Sequence, residues 1–361
     1  VVTEQEKYWV WLAGIEGMGA ATFYKILGRY EDAKTACDNM RDIPAAMKLP
    51  PKLAQNMLES AAEGSPGAAV ERACSGGVSV MTRLSAEYPV LLTEIDNPPP
   101  VLYFKGCMPD FTGMSCGIVG SRRPTKKGME GARKLAYELA MNKAVIVSGM
   151  AIGVDAAGHE GALEAKGKTV AVLGCGPDVI YPKENEELYH RILENGAVVS
   201  EFRPGMPPVA RHFPQRNRII AGLSRILLAG EGMARSGARI TVDFALQQGR
   251  EVYALPFDAS SPLSWVPTYL MESGAALAKS AADVLDEAGG DRAARREKEL
   301  PNMDADQTAV YQVILAGSQL TADEISIETG IAMKELNILL TVMEMQGIIC
   351  ACAGGRFRIQ N

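Results

Sequence analysis

Six short and almost wholly apolar runs punctuate the middle of the chain: SCGIVG (115–120), AVIVSG (144–149), KTVAVLG (168–174), AVVSEF (197–202), SRILLAGEG (224–232) and REVYALP (250–256). They are too short for helices and do not alternate apolar with polar positions, so they predict strands buried on both faces of a parallel sheet. Segments of helical character separate them, near 127–142, 153–165, 184–195, 215–223 and 237–248. Strand and helix in alternation predict an α/β fold, an extended Rossmann-like doubly wound parallel sheet. Ligands of such sheets sit beyond the carboxyl ends of the strands, and the glycine clusters of this chain fall at those ends.

The flanks are patterned differently. Residues 1–62 read as helical, with a GIEGMG turn between two apolar stretches in TEQEKYWVWLAGIEGMGAATFYKILGRYEDA. That pattern fits a helix–hairpin–helix (SAM-like) module, whose turn amides can touch a phosphate, and equally a plain packing bundle. EGSPG (63–67) is expected to be a linker. In YPVLLTEIDNPPPVLYFKG (88–106) the VLYF run predicts a strand, and the proline run an edge or loop. Beyond 291 the charged DRAARREKEL precedes three helical stretches and the hairpin-like IICACAGGRFRI, the order of a winged helix–turn–helix. Its expected recognition helix, 333–346, sets Lys334 against Glu335 and Glu344. That balance suits a protein-contact or packing module better than DNA. The expected organisation is therefore an N-terminal helical module (1–65), a Rossmann-like DNA-binding core (66–290) and a C-terminal winged helix (295–361).

Composition narrows the class. The 361 residues are 47% hydrophobic, with 36 Gly and 20 Pro, enough for two or three packed domains. No apolar run approaches the ~18 residues of a membrane span, and no basic head precedes an apolar core at the start. The seven Cys form no CxxC pair and only three His accompany them, so neither a metal site, a disulfide framework nor a cofactor is expected. Reduced thiols in a cytoplasmic protein are the simpler reading.

The net charge of −6 argues against a general polyanion binder, but local charge departs from it. Between 202 and 230 stand Arg203, Arg211, Arg216, Arg218 and Arg225 with no acid. Between 117 and 129 stand Arg122, Arg123, Lys126 and Lys127, again with none. Focused basic patches beside glycine-rich turns attract phosphate. At the first turn Gly120 lets a ligand approach the backbone, Ser121 offers a hydroxyl and an amide, and Arg122 can fork onto a phosphate. Ser148 and Gly149 open the next turn, and Ser236 and Gly237 a later helix, each with free amides. Lys183, after Tyr181 and Pro182, can reach a phosphate. HFPQRNR carries the densest signal. Phe213 can stack on a base, while Arg216, Asn217 and Arg218 follow at a helix start, the combination that sequence-tolerant single-strand binding requires. Asp155 and His159, four apart, are expected to pair within the helix–sheet interface, and Cys175 to be a buried small residue.

In this order the motifs GIVGSRRPT, SGMAIGVDAAGHEGAL, AVLGCGPDVIYPKEN, SEF, HFPQRNRIIAGLS and SGARITVDFALQQGR resemble the DNA-processing protein A (DprA, or Smf) family. The resemblance covers the core and extends to both flanking modules. It implies a protein, not an enzyme, that binds and protects incoming single-stranded DNA and loads a RecA-type recombinase during natural transformation, working as a homodimer. It places Gly120, Ser121, Arg122, Phe213, Arg216, Asn217 and Arg218 in the single-strand pocket. The chain departs from the family pattern at Ala238–Arg239 and at PFDASSPLSWVPTYL (256–270). Two other classes remain open. One is a nucleoside-monophosphate-cleaving enzyme of the lysine-decarboxylase-like kind, whose PGGxGT turn is missing here. The other is a nucleotide-sensing module.

Overall fold

Eight strands make one sheet within the first of two units into which the chain divides, Val1–Val284 and Leu285–Asn361. This computed structural model describes residues 2–289, 303–317, 320–346, 348–352 and 356–359. The strands are β1 (Ser79–Thr82), β2 (Val101–Gly106), β3 (Ser115–Val119), β4 (Val145–Ser148), β5 (Thr169–Val172), β6 (Gly196–Ser200), β7 (Ile226–Ala229) and β8 (Glu251–Ala254). Their order is β1-β2-β6-β5-β4-β3-β7-β8. The six runs read from sequence are β3 to β8, and they pair with one another in parallel. VLYF is β2, which runs antiparallel to both β6 and β1 and extends the sheet.

Every residue of β3, β4, β5, β6 and β7 is buried, as the absence of alternation requires. Each fully covered Val, Ile or Leu of that layer contributes about 1.5–3 kcal/mol. Helices Lys126–Met141, Val154–Glu164, Glu186–Asn195, His212–Gly222 and Gly237–Gln247 follow the expected positions. His212–Gly222 begins three residues earlier than read, which brings His212 and Phe213 into its first turn. From β3 the chain steps out to β6, then crosses back to lay β7 and β8 on the other side of β3. The reversal at β3–β7 creates the crevice where doubly wound sheets take ligands.

The N-terminal helices Glu4–Ala13 and Ala20–Tyr30 enclose their own core of Trp9, Leu12, Phe23, Ile26, Met40 and Met57. Gly17 turns the hairpin at φ 89°. The expected linker at 63–67 is a tight joint between helices Pro51–Glu63 and Pro66–Ala73. Ser65 caps the second helix on the Ala68 amide at 3.3 Å, and Pro66 fills its first turn. The prolines 98–100 lie buried in the loop before β2.

In the second unit, helices Ala305–Gly317, Ala322–Thr329 and Met333–Met345 surround Val310, Ile314, Ile325, Leu336 and Leu340. Strands β9 (Leu320–Thr321), β10 (Ile349–Cys352) and β11 (Arg356–Ile359) form the order β10-β11-β9. The expected hairpin is there, and the short β9 is an addition. The charged stretch 291–300 lies outside the described residues.

Candidate nucleic-acid interface

The loops that leave the carboxyl ends of β3, β4, β5 and β7 share one edge of the sheet, and the glycine turns singled out above lie on or just behind it, whereas Arg225 sits at the opposite edge and donates to the Gly113 and Thr112 carbonyls ahead of β3. At β3, a Cβ on Gly120 would stand 2.6 Å from the Val154 side chain, so only glycine lets the turn pass. The Ser121 amide donates to the Glu231 carbonyl at 2.6 Å, and Ser121 Oγ accepts from the Arg123 amide at 3.0 Å. This folds the GSRR turn tightly and turns Arg122 and Arg123 outward. Both are exposed, and among the described residues no carboxylate lies within 4 Å of either. Next, Thr125 caps the 16-residue helix Lys126–Met141 and is itself held by buried Glu231, whose carboxylate accepts its amide at 2.7 Å and its hydroxyl at 2.6 Å. A long helix thus points its positive end at the same edge, with Lys126 and Lys127 in its first turn.

At β4 the chemistry turns inward. Ser148 is fully buried and its hydroxyl donates to the Ile118 carbonyl at 2.5 Å. Gly149 lies against the Arg216 guanidinium, where a Cβ would meet Nη2 at 2.3 Å. Arg216 is 5% exposed. Its Nη1 donates to the Gly149 carbonyl at 2.7 Å and to the Val172 carbonyl, and its Nε to Asn217 Oδ1 at 3.0 Å. Expected at the surface, Arg216 instead ties the ends of β4 and β5 together from behind. The buried Asp155 carboxyl faces that charge and accepts the amides of Ala151, Gly120 and Gly149. Burial raises its pKa, and Arg216 and the amides oppose the rise. Asp155 thereby gathers the β3 and β4 turns onto one acceptor. His159 does not pair with it. Nδ1 of His159 lies 2.7 Å from the Thr169 hydroxyl, and burial followed by the Arg216 charge pushes the imidazole down to about 3.

At β5, Cys175 is buried and burial lifts its thiol to about 12, an inert packing residue. Phe213 is half-buried, packed on Gly174, with the exposed Tyr181 ring 5.3 Å away and Arg216 Cζ 5.9 Å from its centroid. Lys183 is exposed beside them. Asn217 reaches across to the Gly237 carbonyl at 3.2 Å and fixes the start of the next helix, which Ser236 caps on the Arg239 amide at 3.3 Å.

Arg218 departs from the expected role. It pairs with Glu201 at 2.5 Å, the two side chains being 14% and 13% exposed. Glu201 precedes the acid-free stretch by a single residue. Arg203 likewise pairs with Glu16 of the N-terminal turn at 3.2 Å. Reasoning from charge missed these partners because one sits just outside the window and the other 187 residues away. Arg211, named with that stretch but not among the expected site residues, is exposed at the entrance to the His212–Gly222 helix.

Fold and edge together define an α/β protein with an anion-receptive rim: exposed guanidiniums, helix starts and a half-buried ring above a buried arginine. The chain belongs to the family described as DNA recombination-mediator protein A, whose model matches residues 79–289, and the model of the DprA winged helix domain matches residues 293–355. Among curated relatives it is 43% identical over 200 residues to the DNA processing protein DprA of Streptococcus pneumoniae, covering 55% of this chain and 71% of that one. It is 34% identical over 282 residues to Protein Smf of Escherichia coli, covering 76% and 75%. The solved structure of the S. pneumoniae protein superposes with a TM-score of 0.67 at 34% identity, covering 79% of this chain and 98% of that one. The DNA processing protein A of Helicobacter pylori, whose structure concerns a single-stranded DNA binding mode, gives 0.52 at 28% identity, covering 58% and 95%.

Proposed function

We propose that the carboxyl edge of the sheet binds single-stranded DNA, and that the protein delivers the strand to a RecA-type recombinase as a mediator of recombination during natural transformation. The observation that carries this reading is the rim itself. Arg122 and Arg123 stand open at the start of a capped helix, within one sheet edge that also bears the Phe213 and Tyr181 rings. Cations that have no carboxylate partner attract phosphates, and rings beside them stack on bases without reading sequence. Gly120, Ser121, Arg122, Lys183, Ser236 and Gly237 meet the backbone, and Phe213 meets a base. Ser148, Gly149, Arg216, Asn217 and Arg218 hold the shape beneath.

Family membership and the H. pylori relative's single-strand binding support the same substrate. The protein acts as a binder in the cytoplasm, and a homodimer formed through the core doubles the sites and raises avidity by effective concentration. Single strands should bind well ahead of duplex of equal length, with little sequence preference, in an anisotropy titration. Equal affinity for both refutes the proposal. Light scattering at tens of micromolar tests the dimer, and recombinase loading onto coated single strands tests the delivery step.

A further inference from the structure

A second concave surface lies away from the rim. The loop 86–89, the short helix Val90–Thr93 and the segment 108–112 enclose a groove of about 610 Å³, within the ~300–1,000 Å³ range of ligand clefts. Its floor is apolar: Met81, Tyr88, Leu91 and Phe111 line it, and all four are buried. Met81, Tyr88 and Phe111 belong to the main core, so packing holds the groove in shape before anything enters it. The Tyr88 hydroxyl is spent on the Pro99 carbonyl at 2.8 Å and offers the groove no hydrogen bond. At the lip, Val90 stands 67% exposed. Arg225 closes one end at the amino edge of the sheet, where Nε donates to the Gly113 carbonyl at 2.9 Å and Nη2 to the Thr112 carbonyl at 3.0 Å. That end lies opposite the rim, so an occupant of the groove leaves the carboxyl edge open.

The lip has the opposite character. Glu87, Glu94 and Asp110 are exposed there, against Arg225 alone. Among the described residues no basic side chain lies within 4 Å of Glu87. Glu94 meets Arg250 at 3.3 Å but keeps 56% of its side chain in solvent. Asp110 accepts the Thr112 amide at 2.8 Å and the Thr112 hydroxyl at 2.7 Å, neither of which cancels its charge. An apolar patch ringed by polar groups marks an interaction surface. The excess of carboxylates turns away phosphates and acidic segments and draws in cations. With the floor apolar and the carboxylates at the lip, the occupant must send an apolar side chain inward and hold cations on either side of it. A peptide segment can do both, and a nucleotide can do neither. We propose that this groove docks a short segment of a partner protein, in which a large apolar side chain is flanked by Lys or Arg. The proposal goes beyond the single-strand reading and does not rest on it: the strand takes the carboxyl edge, and the partner segment a separate face.

The test titrates the full chain with three fluorescent peptides, Lys-Leu-Phe-Lys, Glu-Leu-Phe-Glu and Lys-Ala-Ala-Lys, and follows anisotropy. The first should bind, and each of the others at least about tenfold more weakly. Glu87→Lys and Val90→Lys change exposed side chains, so both variants should melt with the parent. Each should bind Lys-Leu-Phe-Lys about 3- to 10-fold more weakly. Parent-like affinity in both variants puts the peptide elsewhere and overturns the proposal, as does the absence of saturable binding by the parent up to about 1 mM. Equal affinity for Glu-Leu-Phe-Glu removes the charge selection and the proposal with it. If either variant splits a dimer in light scattering, the groove joins two copies of this chain and the partner is wrong. A synthetic peptide of residues 291–300 that binds more tightly than every probe assigns the groove to this chain's own segment, and again the partner is wrong. Titration with (dT)15 keeps the two readings apart. Glu87→Lys should bind it as the parent does, and a parent that binds no single strand overturns the rim reading alone.

Discussion

Arg122 and Arg216 look alike in sequence, yet the structure gives them opposite jobs, and replacing each with a neutral residue should separate them. Arg216→Met removes a buried guanidinium that donates to two backbone carbonyls and to Asn217, and that faces the buried Asp155 carboxyl. Those acceptors cannot turn to water, so the loss should resemble breaking a buried charge arrangement, about 3–5 kcal/mol. For a unit of this size, at about 2–3 °C per kcal/mol, the melting temperature should fall by about 6–15 °C. Arg122→Ala, at an exposed position with no carboxylate near it, should leave the melting temperature within about 1–2 °C of the parent. Its effect belongs to binding. Affinity for a single strand falls with salt at a log–log slope of about −0.7 per phosphate neutralised, so losing Arg122 should flatten the slope by about 0.7. Differential scanning fluorimetry and anisotropy from 50 to 300 mM salt read both quantities. If Arg216→Met melts with the parent and flattens the salt slope, the arginine reaches phosphate and the buried role is wrong.

The remaining expectations concern shape, stacking and protons. Gly120→Ala should cost about 1–3 kcal/mol through overpacking on Val154 and weaken single-strand binding with it, and parent-like stability would show that the turn yields easily. Phe213→Ala should weaken binding by about 1–3 kcal/mol with the salt slope unchanged, because stacking releases no counterions, and a flattened slope contradicts the stacking role. His159 is held neutral in the fold, its value depressed to about 3, while the unfolded chain takes up that proton near 6.5. The unfolded state therefore binds more protons as pH falls. Stability should be full above about pH 6.5 and decline on acidification, with His212, also depressed by burial, adding in the same sense. Melting temperatures between pH 7 and 5 should flatten in His159→Gln, and an unchanged pH dependence refutes the assignment.

Much of the fold was legible because it depends on local pattern. Runs such as KTVAVLG and SRILLAGEG have no polar side to show water, so they could only be inner strands, and they became β5 and β7. Thr125 and Ser236, small hydroxyl residues ahead of helical stretches, became caps. The EGSPG stretch misled for the opposite reason: the serine and proline that signal a linker also cap and start a helix, and only the packing of the helices on either side decides which.

The sequence by itself determined the strand–helix alternation, the edge at which the glycine turns gather and the family, because each follows from residue order over a few tens of positions. Only the tertiary structure decided which arginines face solvent. Arg122, Arg216 and Arg218 share a local context of small residues and helix starts, but the end of β5 lies behind one, Glu201 beside another, and open space in front of the third. The tertiary structure also brought Trp265 and Tyr269 under Arg239, an arrangement made across the gap between two helices. Burial and ion pairing are set by what the rest of the chain brings alongside, and that information is held at separations no local pattern spans.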